Sequence, residues 1–168
     1  MGSSFDGAAE FFEEAERAAR RVASLVGKRQ LMHEAAVGMV PRGMGGGRGG
    51  HRPDRMEATM AALVDWERRA EAEAKLDYTL LDLAAAVLYG SPQVDGVADL
   101  CKPWWADAVD LHHLKLLTWP QVAGVLGHPR PSCSRAARAA FDVCDRYRLI
   151  EEHVRHHDAE GWVLDLAE

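Results

Sequence analysis

No stretch of the 168-residue chain approaches the roughly 18 uninterrupted apolar residues that a membrane span needs, so no membrane partner is expected. The opening residues, MGSSFDGAAEFFEEAE, lack a basic segment followed by an apolar one, and no signal peptide is expected there. Cysteine is scarce: Cys101, Cys133 and Cys144 make an odd number without a CxxC pair. That excludes a disulfide framework and points to reduced thiols in a soluble, cytoplasmic protein. The GxxxxGK[ST] of a phosphate-binding loop is missing, as is HExxH, and no nucleophile sits in a strand–turn–helix pattern. The expectation is therefore a protein that is not an enzyme, with no catalytic residue and no cofactor.

What remains is enough for a core, since 48% of the residues are apolar, while 27% are charged as in ordinary soluble proteins. The length suits one domain, or a small domain with a helical appendage. A net charge of −6 argues against nucleic acid only as a sum, because an anionic partner responds to local charge. Positive charge is confined to two stretches, 42–55 and 130–148, each with a net +3. Segments 56–100 and 149–168 carry −6 and −5.

Along the chain, Phe12, Ala15, Ala19, Val22 and Val26 recur at alternating spacings of three and four, the seam of a helix that pairs with another. Residues 41–53 hold six glycines and two prolines and read as a flexible connector. Asp54 then opens a second helix with Met56, Met60, Leu63, Trp66 and Ala70 on one side, followed by Tyr78, Leu81, Ala85 and Leu88. The result is a long helical hairpin over 5–89, stopped at Gly90-Ser91-Pro92. After a turn-rich passage, Pro103 is placed to begin a helix through Leu116 that directs Trp105, Val109, His112 or His113, and Leu116 to a core.

LTWPQVAGVLGHPRPSCSRAARAAF, residues 117–141, reads as two short helices around a glycine. Thr118 is a natural N-cap, Pro120 sits where a missing N–H costs little, and Gly127 supplies the terminating turn. Val122, Ala123, Val125 and Leu126 are expected to be buried. The following helix, from about Pro131 or Ser132 to Tyr147, buries Cys133, Ala136, Ala137, Ala140, Phe141 and Cys144. Its other face carries Ser134, Arg135 and Arg138. Helix, glycine turn and helix form the DNA-binding helix-turn-helix pattern, expected over 93–147. Arg130, Arg135 and Arg138 suit phosphates or guanine edges, and Ser132 and Ser134 suit phosphate oxygens. The alternative is an α-hairpin in a bundle with a solvated arginine face.

The same residues resemble region 4 of the sigma-70 family and its phage relatives, where (L)TW-x-x-(V/I)A-x-x-(L/M)G precedes a helix with an arginine and an A-(L/F) pair. Thr118, Trp119, Val122, Ala123, Leu126, Gly127, Arg135, Ala140 and Phe141 occupy those positions. The N-terminal half is similar to the ArpU/RinA-like late transcription regulators of phages, with their glycine linker and (L)-x-D-x-E helix. Val40-Pro41-Arg42-Gly43 and Leu63-Val64-Asp65-Trp66-Glu67 are the corresponding residues. The likeness spans roughly residues 5–147 and implies sequence-specific binding of double-stranded DNA near phage promoters in the control of phage or prophage genes. Pro129 and Pro131 depart from the polar residues usual at the head of the recognition helix, which leaves its start open.

The competing class is a non-catalytic phage interaction protein that binds polymerase, a sigma-like factor or packaging machinery, as a small terminase subunit would. Two histidine groups, His112-His113 with Asp107 and Asp110, and His153 with His156, His157 and Asp158, are the metal-ligand options. Without HExxH or a cysteine cluster, no metal is assigned. The acidic tail, 148–168, is expected to form a short β-hairpin or a docked strand, making the whole an all-α protein with that one exception. A narrow apolar seam along the hairpin predicts a homodimer built from residues 5–40 and 56–75.

Overall fold

Every regular element is helical in the computed structural model, which describes residues 5–38 and 53–159. The elements are α1 (Ala8–Gly38), α2 (Pro53–Tyr89), α3 (Val97–Leu100), α4 (Pro103–Val109), a π-helical turn (Asp110–Leu114), α5 (Trp119–Leu126), α6 (Arg130–Tyr147) and α7 (Leu149–Ala159). The fold is all-α, and none of the described helices is long and apolar enough to cross a membrane. Most of the expected glycine connector, and the end of the tail, lie outside the described residues. Pro53, assigned to that connector, is the first residue of α2.

The chain divides into two compact units, one comprising residues up to Arg20 and from Leu76 onward, the other Arg21–Lys75. This differs from the expected boundary between a hairpin over 5–89 and a separate domain over 93–147. The reason lies in the buried side chains. Phe11, Phe12, Ala15 and Ala18 of α1 and Leu83, Ala84, Val87 and Leu88 of α2 belong to the same core as Ala137, Ala140 and Cys144 of α6. Phe12 stacks on Phe141 with ring centroids 5.3 Å apart, and Phe11 meets Phe12 edge-on. The ends of the two long helices are thus core elements of the first unit. Asp145, near the end of α6, accepts the Ala8 backbone N–H at 2.7 Å and so satisfies one free donor of α1's first turn.

Within α2 the buried face is Leu80, Leu83, Ala84, Val87 and Leu88; of the expected residues Leu88 is buried, Leu81 and Ala85 are half-buried, and Tyr78 is 48% exposed. The stretch LLDLAAAVL is apolar nearly all round, so its spacing does not select a face. Between α2 and α4, α3 occupies part of the expected turn-rich passage, and Asp99 accepts the Gly96 N–H at 2.8 Å. A Cβ at Gly96 would collide with the Gly90 backbone, which fixes glycine there. The helix expected from Pro103 through Leu116 ends early. It widens into the π-helical turn at Asp110, and Leu116 takes φ 61°, a conformation uncommon for leucine. Residues 149–159 form α7, with Leu149, Ile150 and His153 buried, and the turn and apolar row of the expected β-hairpin or docked strand lie mostly outside the described residues. Glu151 and Glu152 lie in its first turn, where the helix dipole favours acids.

The second unit is thinner. Leu63, Ala70 and Ala74 are buried, and Glu67 Oε1 accepts hydrogen bonds from Arg29 Nε and His33 Nε2, both at 2.8 Å. The expected seam does not continue: Val26 is 55% exposed and Met60 47%.

Candidate nucleic-acid interface

The helix-turn-helix residues sit in the first unit, on a small core of their own. Ala108, Val122, Cys133 and Ala136 are its buried centre, with Trp104, Trp105, Trp119, Ala123 and Leu126 packed around them. Val125, expected to be buried, is exposed; α5 spans eight residues and turns only one side to this core.

Thr118 opens α5 as its N-cap. Gln121 reaches back, and its Oε1 accepts the Thr118 backbone N–H at 2.8 Å and the hydroxyl at 2.9 Å. Gly127 closes the helix at φ 66°, ψ 25°. A Cβ there would touch nothing, so it is the left-handed backbone and not crowding that favours glycine. His128 then stacks on Trp104 with centroids 4.2 Å apart. Pro129 is the N-cap of α6, and Arg130 and Pro131 are its first two residues, which settles the start that the sequence left open. Pro131 has no N–H to leave unpaired, while the Ser132 and Cys133 N–H groups both donate to the Pro129 carbonyl.

From there α6 divides lengthwise. Cys133, Ala136, Ala137, Ala140 and Cys144 are buried, and Phe141 is half-buried, as the spacing predicts. Arg130, Arg135 and Arg138 are exposed, and Ser132 and Ser134 are half-buried. No carboxylate pairs with any of the three arginines among the described residues. Arg135 Nε donates to the Pro131 carbonyl at 3.1 Å, which holds its guanidinium along the helix with the Nη groups unengaged. The Ser134 hydroxyl donates to the same carbonyl at 3.2 Å. That hydrogen is already used, so Ser134 is a poorer phosphate donor than the sequence suggests. Burial pushes the Cys144 thiol up to about 12, marking it as a core residue and not a reactive one.

Trp119 is half-buried, bridges both cores, and stacks on His112 at 3.9 Å. It is a brace of the motif. His112 donates from Nδ1 to the Leu117 carbonyl at 2.8 Å, tying the π-helical turn to the residue before the α5 cap. The neighbouring His113 is largely buried, with its Nδ1 2.9 Å from Glu16 Oε2 of α1. Burial first, and then the adjacent His112, hold His113 below its ordinary range against the pull of Glu16. Burial would raise Glu16, but the hydrogen bonds from Arg20 and His113 outweigh it and hold the carboxyl below its usual range.

Among the described residues, the metal-ligand options of the sequence do not come together as drawn. Asp107 takes the Tyr89 hydroxyl at 3.0 Å, and burial raises the Asp110 carboxyl. Burial, and the charges of Asp110 and Asp107 beside it, also raise the Tyr89 phenol. His153 is buried and donates from Nε2 to the Asp95 carbonyl at 3.1 Å. The grouping that does form, Glu16 with His112 and His113, joins residues about a hundred positions apart, and no local spacing could have shown it. Comparisons with protein families, with curated proteins and with solved structures found no match to this chain.

Proposed function

We propose that the chain is a cytoplasmic, sequence-specific regulator of transcription that binds double-stranded DNA of phage or prophage genes, with α6 as its recognition helix. The carrying observation is the division of α6: one face of small buried residues seats it against α5, and the other presents Arg130, Arg135 and Arg138 without an acidic partner. Arginines left unpaired on a helix that follows a glycine-closed turn suit phosphates and guanine edges. The assignment to phage genes rests on the resemblance over residues 117–141 and at the linker. The reading includes no catalytic step and no cofactor.

A lone helix-turn-helix reads few base pairs, and specific affinity usually comes from two half-sites about one helical turn apart. Val26, Leu31, Met60 and Val64 in the second unit are exposed apolar residues on both long helices, and a second copy of the chain is the occupant this reading assigns to them. The same exposed residues support the alternative, a non-catalytic protein that docks on RNA polymerase or packaging machinery.

The test is a gel-shift titration against an operator selected from a random-sequence DNA pool, with unselected DNA as control. Arg135→Ala and Arg138→Ala should each weaken binding by about 1–3 kcal/mol where the arginine reads a base, or flatten the log–log salt dependence by about one where it holds a phosphate. Both variants should melt like the parent, because neither side chain is in the core. Unchanged affinity and salt dependence in both would remove α6 as the recognition helix. A chain that selects no DNA at all would leave the docking alternative.

A further inference from the structure

We propose that Glu16, His112 and His113 form a site for a divalent transition-metal ion of the zinc type, tying α1 to the π-helical turn that precedes the helix-turn-helix. One ligand atom from each residue lies within 4.8 Å of the other two. His113 Nδ1 and Glu16 Oε2 are already 2.9 Å apart, while two donors on one tetrahedral zinc, at bonds of about 2.0–2.1 Å, stand roughly 3.3 Å apart. An ion would take the place of the hydrogen between them with a small opening of the pair.

The surroundings suit such an ion. His112 gives its Nδ1 hydrogen to the Leu117 carbonyl, which leaves the Nε2 lone pair as the coordinating one in the neutral ring. This is the second-shell arrangement that metal-bound histidines usually have. Its ring is further fixed by the stack on Trp119. The turn matters too. His112 and His113 are sequence neighbours, which an α-helix would point about 100° apart. In the π-helical turn their rings meet edge to face, with centroids 4.8 Å apart. Two imidazoles and one carboxylate favour zinc, cobalt or nickel over calcium or magnesium, which prefer all-oxygen sets. The half-buried rim leaves a fourth position to water. Arg20 lies 2.6 Å from Glu16 Oε1 and is itself well exposed, so it can stay as a carboxylate partner or swing out to solvent.

The experiment titrates the metal-stripped full chain with Co2+, read by visible absorption, and with Zn2+, read by melting temperature. Both use a His156→Ala/His157→Ala background, because His156 and His157 on α7 can collect ions of their own. One equivalent of Co2+ should give the absorption of a four-coordinate site. Zn2+ at about a hundred times its Kd should raise Tm by roughly 5–10 °C. Glu16→Gln, which keeps a hydrogen-bond acceptor for His113, and His112→Gln should each weaken Co2+ binding at least tenfold while retaining the parent's circular dichroism. If His112→Gln does not fold, Glu16→Gln alone decides. Binding that is lost in the α7 background, or that is unaltered by Glu16→Gln, overturns the site.

Discussion

The two compact units share the same two long helices and are buried to very different degrees. In the first, the ends of α1 and α2 contribute two phenylalanines and a run of leucine, alanine and valine to a core closed by α6 and α7. In the second, the stretches of those helices between Arg21 and Lys75 bury Leu63 and two alanines and leave Val26, Leu31, Met60 and Val64 in solvent. Helices shorter than about 15 residues are marginal in water, and their stability comes mostly from the apolar face they bury. By that measure the first unit supports itself. The second has apolar surface to spare, which is the physical basis for assigning it a second copy of the chain.

The comparison can be broken at its strongest point. Phe12→Ala removes a fully buried ring stacked on Phe141 and should cost about 3–5 kcal/mol, read as a fall in denaturation midpoint. Leu63→Ala, in the thinly packed second unit, should cost less, about 2 kcal/mol, because the site can relax. Equal losses would mean the two units are packed alike. A charge at the exposed apolar positions sharpens the contrast. Val26→Lys combined with Val64→Lys should change stability by less than about 0.5 kcal/mol, as exposed positions do. In light scattering the same pair should turn a dimer into a monomer, with operator affinity falling tenfold or more. A parent that is monomeric at micromolar concentration with full affinity would make the hairpin a docking arm instead.

The smallest effect is expected from acid. Burial holds His153 below its ordinary 6.5, with the Asp95 carbonyl pulling the other way. Between the folded value and 6.5 the unfolded chain binds more protons, so stability rises with pH across that window. The contribution is fully present above 6.5 and is lost as the pH falls through 6.5 to the folded value. His153→Gln, which keeps a donor for Asp95, should flatten the dependence of Tm on pH between 7.5 and 5. An unchanged slope would show that His153 does not carry it.

The sequence was most legible where local rules act alone. Thr118, Pro120 and Gly127 each mark a helix end by the chemistry of one residue, and the 133, 136, 137, 140, 144 spacing singles out one side of α6. It was least legible where the deciding partner is distant or the pattern has no contrast. The leucines and alanines near the end of α2 suit any face. Val26 continues a regular spacing past the point where other elements cover it. The widening at Asp110 inserts no residue type that marks it. The alternation read into the tail rests on Trp162, Leu164 and Leu166, which lie outside the described residues, while the stretch before them, through Ala159, is helical. Nothing near Glu16 announces that its partners are His112 and His113.

The hydrogen bond from Ala8 to Asp145 spans 137 residues, and its length in sequence has a kinetic meaning. The first unit is discontinuous, with residues 21–75 interrupting it between two segments that share one core. Such non-local closure slows folding relative to a helix-turn-helix stabilised by neighbours in sequence. During synthesis at about 5–20 residues per second, Phe11 and Phe12 leave the ribosome on the order of ten seconds before Phe141 exists to receive them. For that interval Phe11 and Phe12, fully buried in the folded unit, have no core to enter.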